Sequence, residues 1–157
     1  YLQRIDFLRH WMPELELPDP HDAEFHLQLV WGKRSFSDLR REGFEASYRR
    51  CLTGQQIHAL DHHAPEKVQL PKRSFRIDYG DVERPVLAAR IQDFFGVSRT
   101  PRLADGRATV TLHLLAPNQR PQQVTQDLES FWQNTYAEVR KELRARYPKH
   151  DWPESPF

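Results

Sequence analysis

The stretch Ala108-Thr109-Val110-Thr111-Leu112-His113-Leu114-Leu115-Ala116-Pro117, residues 108–117, decides the fold. Val110, Leu112 and Leu114 alternate with Thr111 and His113, which predicts a strand over 108–115 with one face in a core and the other toward solvent. Residues 117–121 begin and end on proline and read as a turn, and Gln122 to Val124 read as a short partner strand. Thr125 is expected to cap a long helix, because Leu128, Trp132, Tyr136, Val139 and Leu143 recur on one side for roughly five turns. The helix stops near Arg146, where Tyr147-Pro148 and Trp152-Pro153 force an extended course. The aromatic beside each proline predicts a tail docked on the surface its rings can cover.

Upstream of the strand, Asp105-Gly106 is a turn signal and Leu103 belongs to a short strand. Pro85 is expected to open a compact helix carrying Val86, Leu87, Ile91, Phe94 and Phe95, closed by Gly96. Val68 and Leu70, then Phe75, Ile77 and Tyr79, alternate on either side of Pro71-Lys72-Arg73 and predict two strands. Pro65 marks the change of character, since the residues before it carry helical spacing. Leu2, Ile5, Leu8 and Met12 form a stripe that Pro13 stops. Asp19-Pro20 reads as an N-cap with proline at the first helical position, opening a helix that ends at Gly32. A third helix is expected from Ser35 to near Gly43. Phe44, Tyr48 and Leu52 continue at a spacing of four, which lets Glu45 and Arg49 pair. Thr53 and Gln56 have the spacing of a capping box ahead of a short helix ending at Asp61-His62-His63. The fold class is therefore α+β: a helical subdomain over 1–64, then over 65–157 a small mixed or antiparallel sheet packed against two or more helices.

A chain of 157 residues can bury a core without staples. No apolar run approaches the roughly 20 residues that span a bilayer, and no secretory leader opens the chain. A single cysteine, Cys51, cannot make an internal disulfide; it reads as a small half-buried hydrophobe, and its isolation agrees with a cytoplasmic setting. Tyr1 stands directly inside a helical pattern with no initiator Met, as a fragment would.

The sequence contains no Gly-x-x-x-x-Gly-Lys-Ser/Thr loop, no Gly-x-Gly-x-x-Gly turn and no Gly-x-Ser-x-Gly elbow. The chain alone is not expected to hydrolyse ATP or to be an enzyme, and no metal ligands are assigned. Adjacent His62 and His63 diverge by about 100° on a helix and read as a solvated helix end. Asp78, Tyr79 and Asp81 read as turn and half-buried residues, and His113 as a sheet-surface residue.

Net charge is only +1, but it is unevenly spread. Residues 1–65 carry 8 Lys or Arg against 10 Asp or Glu, and residues 66–157 carry 15 against 12. Between Val139 and His150, Arg140, Lys141, Arg144, Arg146 and Lys149 face one acid, Glu142. Such an excess complements a helix C-terminus, and it is also what a phosphate-contacting patch requires. Exposed Tyr147 or Trp152 could add base stacking.

The order Arg76-Ile77-Asp78-Tyr79, Pro85 to Gly96, Thr100-Pro101-Arg102-Leu103, Leu112 to Pro117, Arg120 to Thr125, Asp127-Leu128, Phe131-Trp132, Val139 to Arg144 and the Arg146-to-Pro153 tail resembles the C-terminal region of the HrpB family of bacterial ATP-dependent RNA helicases, relatives of the DEAH-box helicases. The resemblance is strong over residues 64–157 and weak over 1–63. It implies a non-catalytic accessory domain that follows two RecA-like motor domains, with ATP and Mg2+ bound in the motor and no cofactor in this chain. It implies the motor domains themselves as partners, and it carries over no catalytic residue. Two roles follow. One is support of RNA engagement by Arg140, Lys141, Arg144, Arg146 and Lys149, with Arg90 and Arg102 as weaker candidates. The other is a scaffolding module that braces the motor or docks another protein, to which the near-neutral charge points.

Overall fold

The computed structural model describes residues 1–31, 33 and 35–157, with Phe36 and Leu39 described by their backbone alone. In it the apolar stripe at the start of the chain folds as α1 (Leu2–Trp11), turning Ile5, Phe7, Leu8 and Met12 inward and leaving Leu2 exposed. Pro13–Leu15 adds a 3-10 turn, and α2 (Ala23–Val30), α3 (Phe36–Glu42), α4 (Phe44–Arg50) and α5 (Gly54–His63) follow. These helices make one compact unit, Tyr1–Glu66, whose core also holds Phe25, Leu29, Tyr48 and Leu60.

The capping box of α5 forms as expected: Gln56 N donates to Thr53 Oγ1 at 3.2 Å, and Thr53 N donates to Gln56 Oε1 at 2.9 Å. Glu45 and Arg49 pair at 3.5 Å, and Arg49 also donates to both oxygens of Asp61 at 2.5 and 3.3 Å. Arg4 is only 9% exposed because its Nε donates to Ala64 O at 2.7 Å and its terminal nitrogen reaches Leu60 O at 3.4 Å. A cation thereby satisfies the carbonyl of Ala64, just past the end of α5, and adds a second donor to Leu60 O, which already accepts from Ala64 N at 3.3 Å.

Two expectations in this unit give way. Asp22, not Asp19, caps α2, accepting from Glu24 N and Phe25 N; Asp19 instead accepts from His21 N at 2.9 Å and pairs with Arg9 at 3.2 Å, so Pro20 sits in a turn before the helix. The expected helix end at Gly32 lies outside the described residues. Cys51 is exposed rather than half-buried, since it stands just past the last turn of α4 with Sγ 3.5 Å from Ser47 O.

The second unit, Lys67–Phe157, is the α+β part. β1 (Lys67–Gln69) and β2 (Ser74–Arg76) pair antiparallel, with Val68 opposite Phe75. β3 (Val86–Arg90), β6 (Thr111–Leu115) and β7 (Pro121–Thr125) form a mixed sheet in the order β3-β6-β7, parallel between the first two and antiparallel between the last two. β4 (Arg102–Leu103) and β5 (Ala108–Thr109) form a short hairpin around Ala104, Asp105 and Gly106, all at positive φ.

The compact helix expected from Pro85 is absent. Val86–Arg90 is a strand, and only Ile91–Phe94 turns, as a 3-10 segment. Ala88 and Ala89 are good helix formers, but Leu87 and Ala89 are the buried positions, at a spacing of two. Pairing along the whole of β6 therefore overrides local propensity. Gly96 does close the segment, at φ +94°, where it donates its N–H to Pro156 O at 2.6 Å. The strand expected over 108–115 is broken at Val110, whose N–H goes to Pro101 O while Thr111 N goes to Pro85 O. The chain changes partners there, from β4 to β3.

The last helix begins with α6 (Leu128–Ser130), widens through a π turn at Phe131–Thr135 and continues as α7 (Tyr136–Arg146). Its cap is Asp127, which accepts from Ser130 N at 2.9 Å, rather than Thr125, which accepts from Asp127 N at 3.0 Å and holds the preceding turn. Leu112, Leu114, Leu128, Phe131, Trp132, Tyr136, Val139 and Leu143 are buried together with Leu87 and Phe94.

The Arg49 guanidinium holds the Asp61 carboxyl below its ordinary range. A depressed carboxylate adds stability above its unfolded pKa of about 3.9 and loses it as pH falls through the folded value. Arg49→Gln should therefore return the Asp61 titration toward its usual position by NMR, and should lower stability at neutral pH by an amount that shrinks on acidification. An unchanged Asp61 titration would contradict the pairing.

Candidate nucleic-acid interface

The charged edge of the second unit is made by α7 and the segment after it. At 3.6 residues per turn, Arg140 and Arg144 stand about 40° apart around the helix and Lys141 about 60° beyond Arg144. Tyr136, Val139 and Leu143 occupy the buried side. Arg146 falls about 120° from Arg140 in the opposite sense, across that buried side, so it does not join the same edge. Lys141, Arg144, Arg146 and Lys149 are exposed and Arg140 is half-buried. The five basic residues thus divide into one contiguous group of three and two separate cations.

Arg140 has a structural task as well. Its Nε donates to Trp152 O at 2.6 Å, and the Tyr136 hydroxyl donates to Pro153 O at 2.7 Å. Trp152 is 4% exposed, its ring set against Phe95, and its Nε1 donates to Tyr147 O at 3.0 Å. Burial pushes the Tyr136 phenol up to about 12, against the opposing pull of Arg140, so it remains a donor at any physiological pH. Trp152 is thereby withdrawn from base stacking. Tyr147 is half-buried, and its ring lies edge-on to His150, 6.2 Å between centroids.

Folding the tail back also creates a depression of about 410 Å3 lined by Ala137, Glu138, Arg140, Lys141 and Glu154. Sequence reasoning missed Glu154 here, because only the turn at Pro148 and Pro153 brings it back beside α7. Two carboxylates beside two cations leave the depression itself nearly neutral, and Arg144 on the next turn supplies the local positive excess. Arg90 and Arg102 are engaged elsewhere: Arg90 donates from N and Nε to the buried Asp93 at 3.2 and 3.3 Å, where Arg73 also converges, and Arg102 Nε donates to Gly106 O at 2.9 Å.

Fold and edge together define a class: an α+β domain with a helical unit before it, a tail laced onto its last helix and a group of three cations along one edge of that helix. The chain belongs to the HrpB_C family, described as ATP-dependent helicase C-terminal, whose model matches residues 26–156. A curated relative, the ATP-dependent RNA helicase HrpB of Escherichia coli strain K12, is 36% identical over an alignment of 154 positions that covers 93% of this chain and 19% of that protein. Two solved structures are similar. The crystal structure of the E. coli DExH-box NTPase HrpB superposes with a TM-score of 0.83 at 35% identity, covering 98% of this chain and 20% of that one. The crystal structure of the Escherichia coli DEAH/RHA helicase HrpB gives 0.68 at 33% identity, covering 96% and 20%. The chain thus spans about a fifth of the length of the relatives it matches. Among the described residues no helix is long and apolar enough to cross a membrane.

Removing the Trp152 ring should cost stability rather than affinity. Trp152→Ala is expected to lose about 3 kcal/mol by chemical denaturation, as for a large aromatic taken from a core, and deletion of 147–157 should cost at least as much. Unchanged thermal stability in the truncation would make the tail a ligand-facing element.

Proposed function

We propose that this chain is a non-catalytic accessory domain of an ATP-dependent RNA helicase and that it supports RNA engagement through the α7 edge. The observation that carries the reading is the contiguous placement of Arg140, Lys141 and Arg144, the last two exposed, on a helix whose register is braced by the tail. Cations so placed bind phosphates without regard to base sequence, which suits a translocating motor. Arg146 and Lys149 flank the edge and contribute to the field around it. With Trp152 buried, its ring takes no part in stacking, and the affinity comes chiefly from charge.

ATP and Mg2+ belong to the motor in this reading. The sequence has no phosphate-cradling loop of the kind that holds a nucleotide.

A scaffolding role is the second reading. It is favoured by Leu27 in α2 and Trp31 just past its end, 66% and 87% exposed, because large apolar side chains left this open are what a docking surface offers.

Anisotropy titration of single-stranded RNA over a salt series separates the two. Each phosphate contact adds about 0.7 to the slope of log affinity against log salt on a single strand. Lys141→Ala with Arg144→Ala should therefore weaken binding and reduce the slope by about 1.4. Binding and slope unaltered by the pair, with binding to the motor domains impaired by Trp31→Ala, would favour scaffolding instead.

A further inference from the structure

His58 and His62 stand four residues apart on the exposed side of α5, and their rings stack, with centroids 3.9 Å apart and 26° between planes. The neighbouring pair His62 and His63, which the sequence makes conspicuous, diverges around the helix; the structure pairs His62 with the residue one turn earlier. Two histidines one turn apart on one helix face are the arrangement that helical zinc sites use for two of their ligands.

A second observation bears on readiness to bind. His62 Nδ1 lies 2.9 Å from His58 O. A carbonyl oxygen only accepts, so Nδ1 must carry the proton, and in the neutral ring the lone pair is left on Nε2. That is how ligating histidines are commonly held: the nitrogen away from the metal donates to a carbonyl or carboxylate, which fixes the tautomer and the ring orientation.

We propose that His58 and His62 form a two-imidazole chelating site for a borderline divalent transition metal, Zn2+ being the simplest case. Imidazole suits Zn2+, Ni2+ and Cu2+ rather than Mg2+ or Ca2+, which take oxygen ligands. Asp61 lies between the two in sequence, but Arg49 occupies both its oxygens, so it acts as a nearby negative charge and not as a ligand. Among the described residues no third His, Cys, Asp or Glu joins the pair, so the remaining positions belong to water or to a donor from a partner. The site is therefore labile and open. Its bound metal ties together the last two turns of α5, the same helix end that Arg4 clamps through Ala64 O and Leu60 O.

The test is a titration of the purified, tag-free 157-residue protein with Zn2+ alone, read by the ring resonances of its histidines. His58 and His62 should shift together and saturate. The melting temperature should rise with Zn2+ concentration, as for any ligand of the native state, and return on chelation. His62→Gln and His58→Gln, both at exposed positions, should each weaken binding by at least about tenfold, whereas His63→Gln should leave it unchanged. No response of the two rings at millimolar Zn2+, or an equal response after His62→Gln, overturns the site.

Discussion

The carbonyl groups of the tail are the constraint around which the α+β unit is arranged. Pro148 and Pro153 force residues 147–157 out of the helix and leave their backbone carbonyls without helical partners. Donors from the body meet them one by one: Arg140 Nε for Trp152, the Tyr136 hydroxyl for Pro153, and the Gly96 N–H for Pro156. Two of these donors come from α7 and one from the turn after β3, so the tail ties the last helix to the strand region. Trp152 then fills the space against Phe95, and the indole N–H closes the loop onto Tyr147 O. Burial of Trp152 and the hydrogen bonds to the tail carbonyls together offset the chain entropy of ordering the tail, part of which its prolines have already removed from the unfolded chain.

This arrangement separates two jobs that the sequence places in one segment. The aromatics of the tail are structural, and the cations of the preceding helix face outward. Arg140 takes part in both, holding the tail with one nitrogen while its position keeps it beside Lys141 and Arg144. Glu138 and Glu154 temper the field in the depression between helix and tail. In the proposed role, a weak, salt-sensitive surface of this kind would add grip to a motor without arresting it on the strand, because phosphate contacts of moderate strength break and re-form as the nucleic acid moves.

Many local signals were legible in the sequence where the chain completes its own hydrogen bonds, although two caps lie a few residues on from where they were expected, at Asp22 rather than Asp19 and at Asp127 rather than Thr125. The capping box at Thr53 and Gln56, the Glu45–Arg49 pair, the Asp105-Gly106 turn, the β1–β2 hairpin and the end of α7 at Arg146 all depend on residues a few positions apart. What could not be read locally was set by distant partners. Val86–Arg90 has helix-forming residues after a proline, yet becomes a strand because β6, whose residues lie 25 positions after their partners, offers it a full parallel ladder. Arg140's second role required knowing where Trp152 returns. The histidine pair is a different case: the spacing of His58 and His62 was visible, but the adjacent His62-His63 drew attention to residues that helical geometry drives apart.

The central claim is that the α7 edge meets RNA phosphates while the tail remains a brace. Lysine reactivity tests it most directly, by acetylating the protein with and without saturating single-stranded RNA and mapping each lysine by mass spectrometry. The account predicts that RNA shields Lys141 strongly and leaves Lys67 and Lys72, on the hairpin and its turn, as reactive as before. Lys141 reacting equally in the presence and absence of RNA would contradict it.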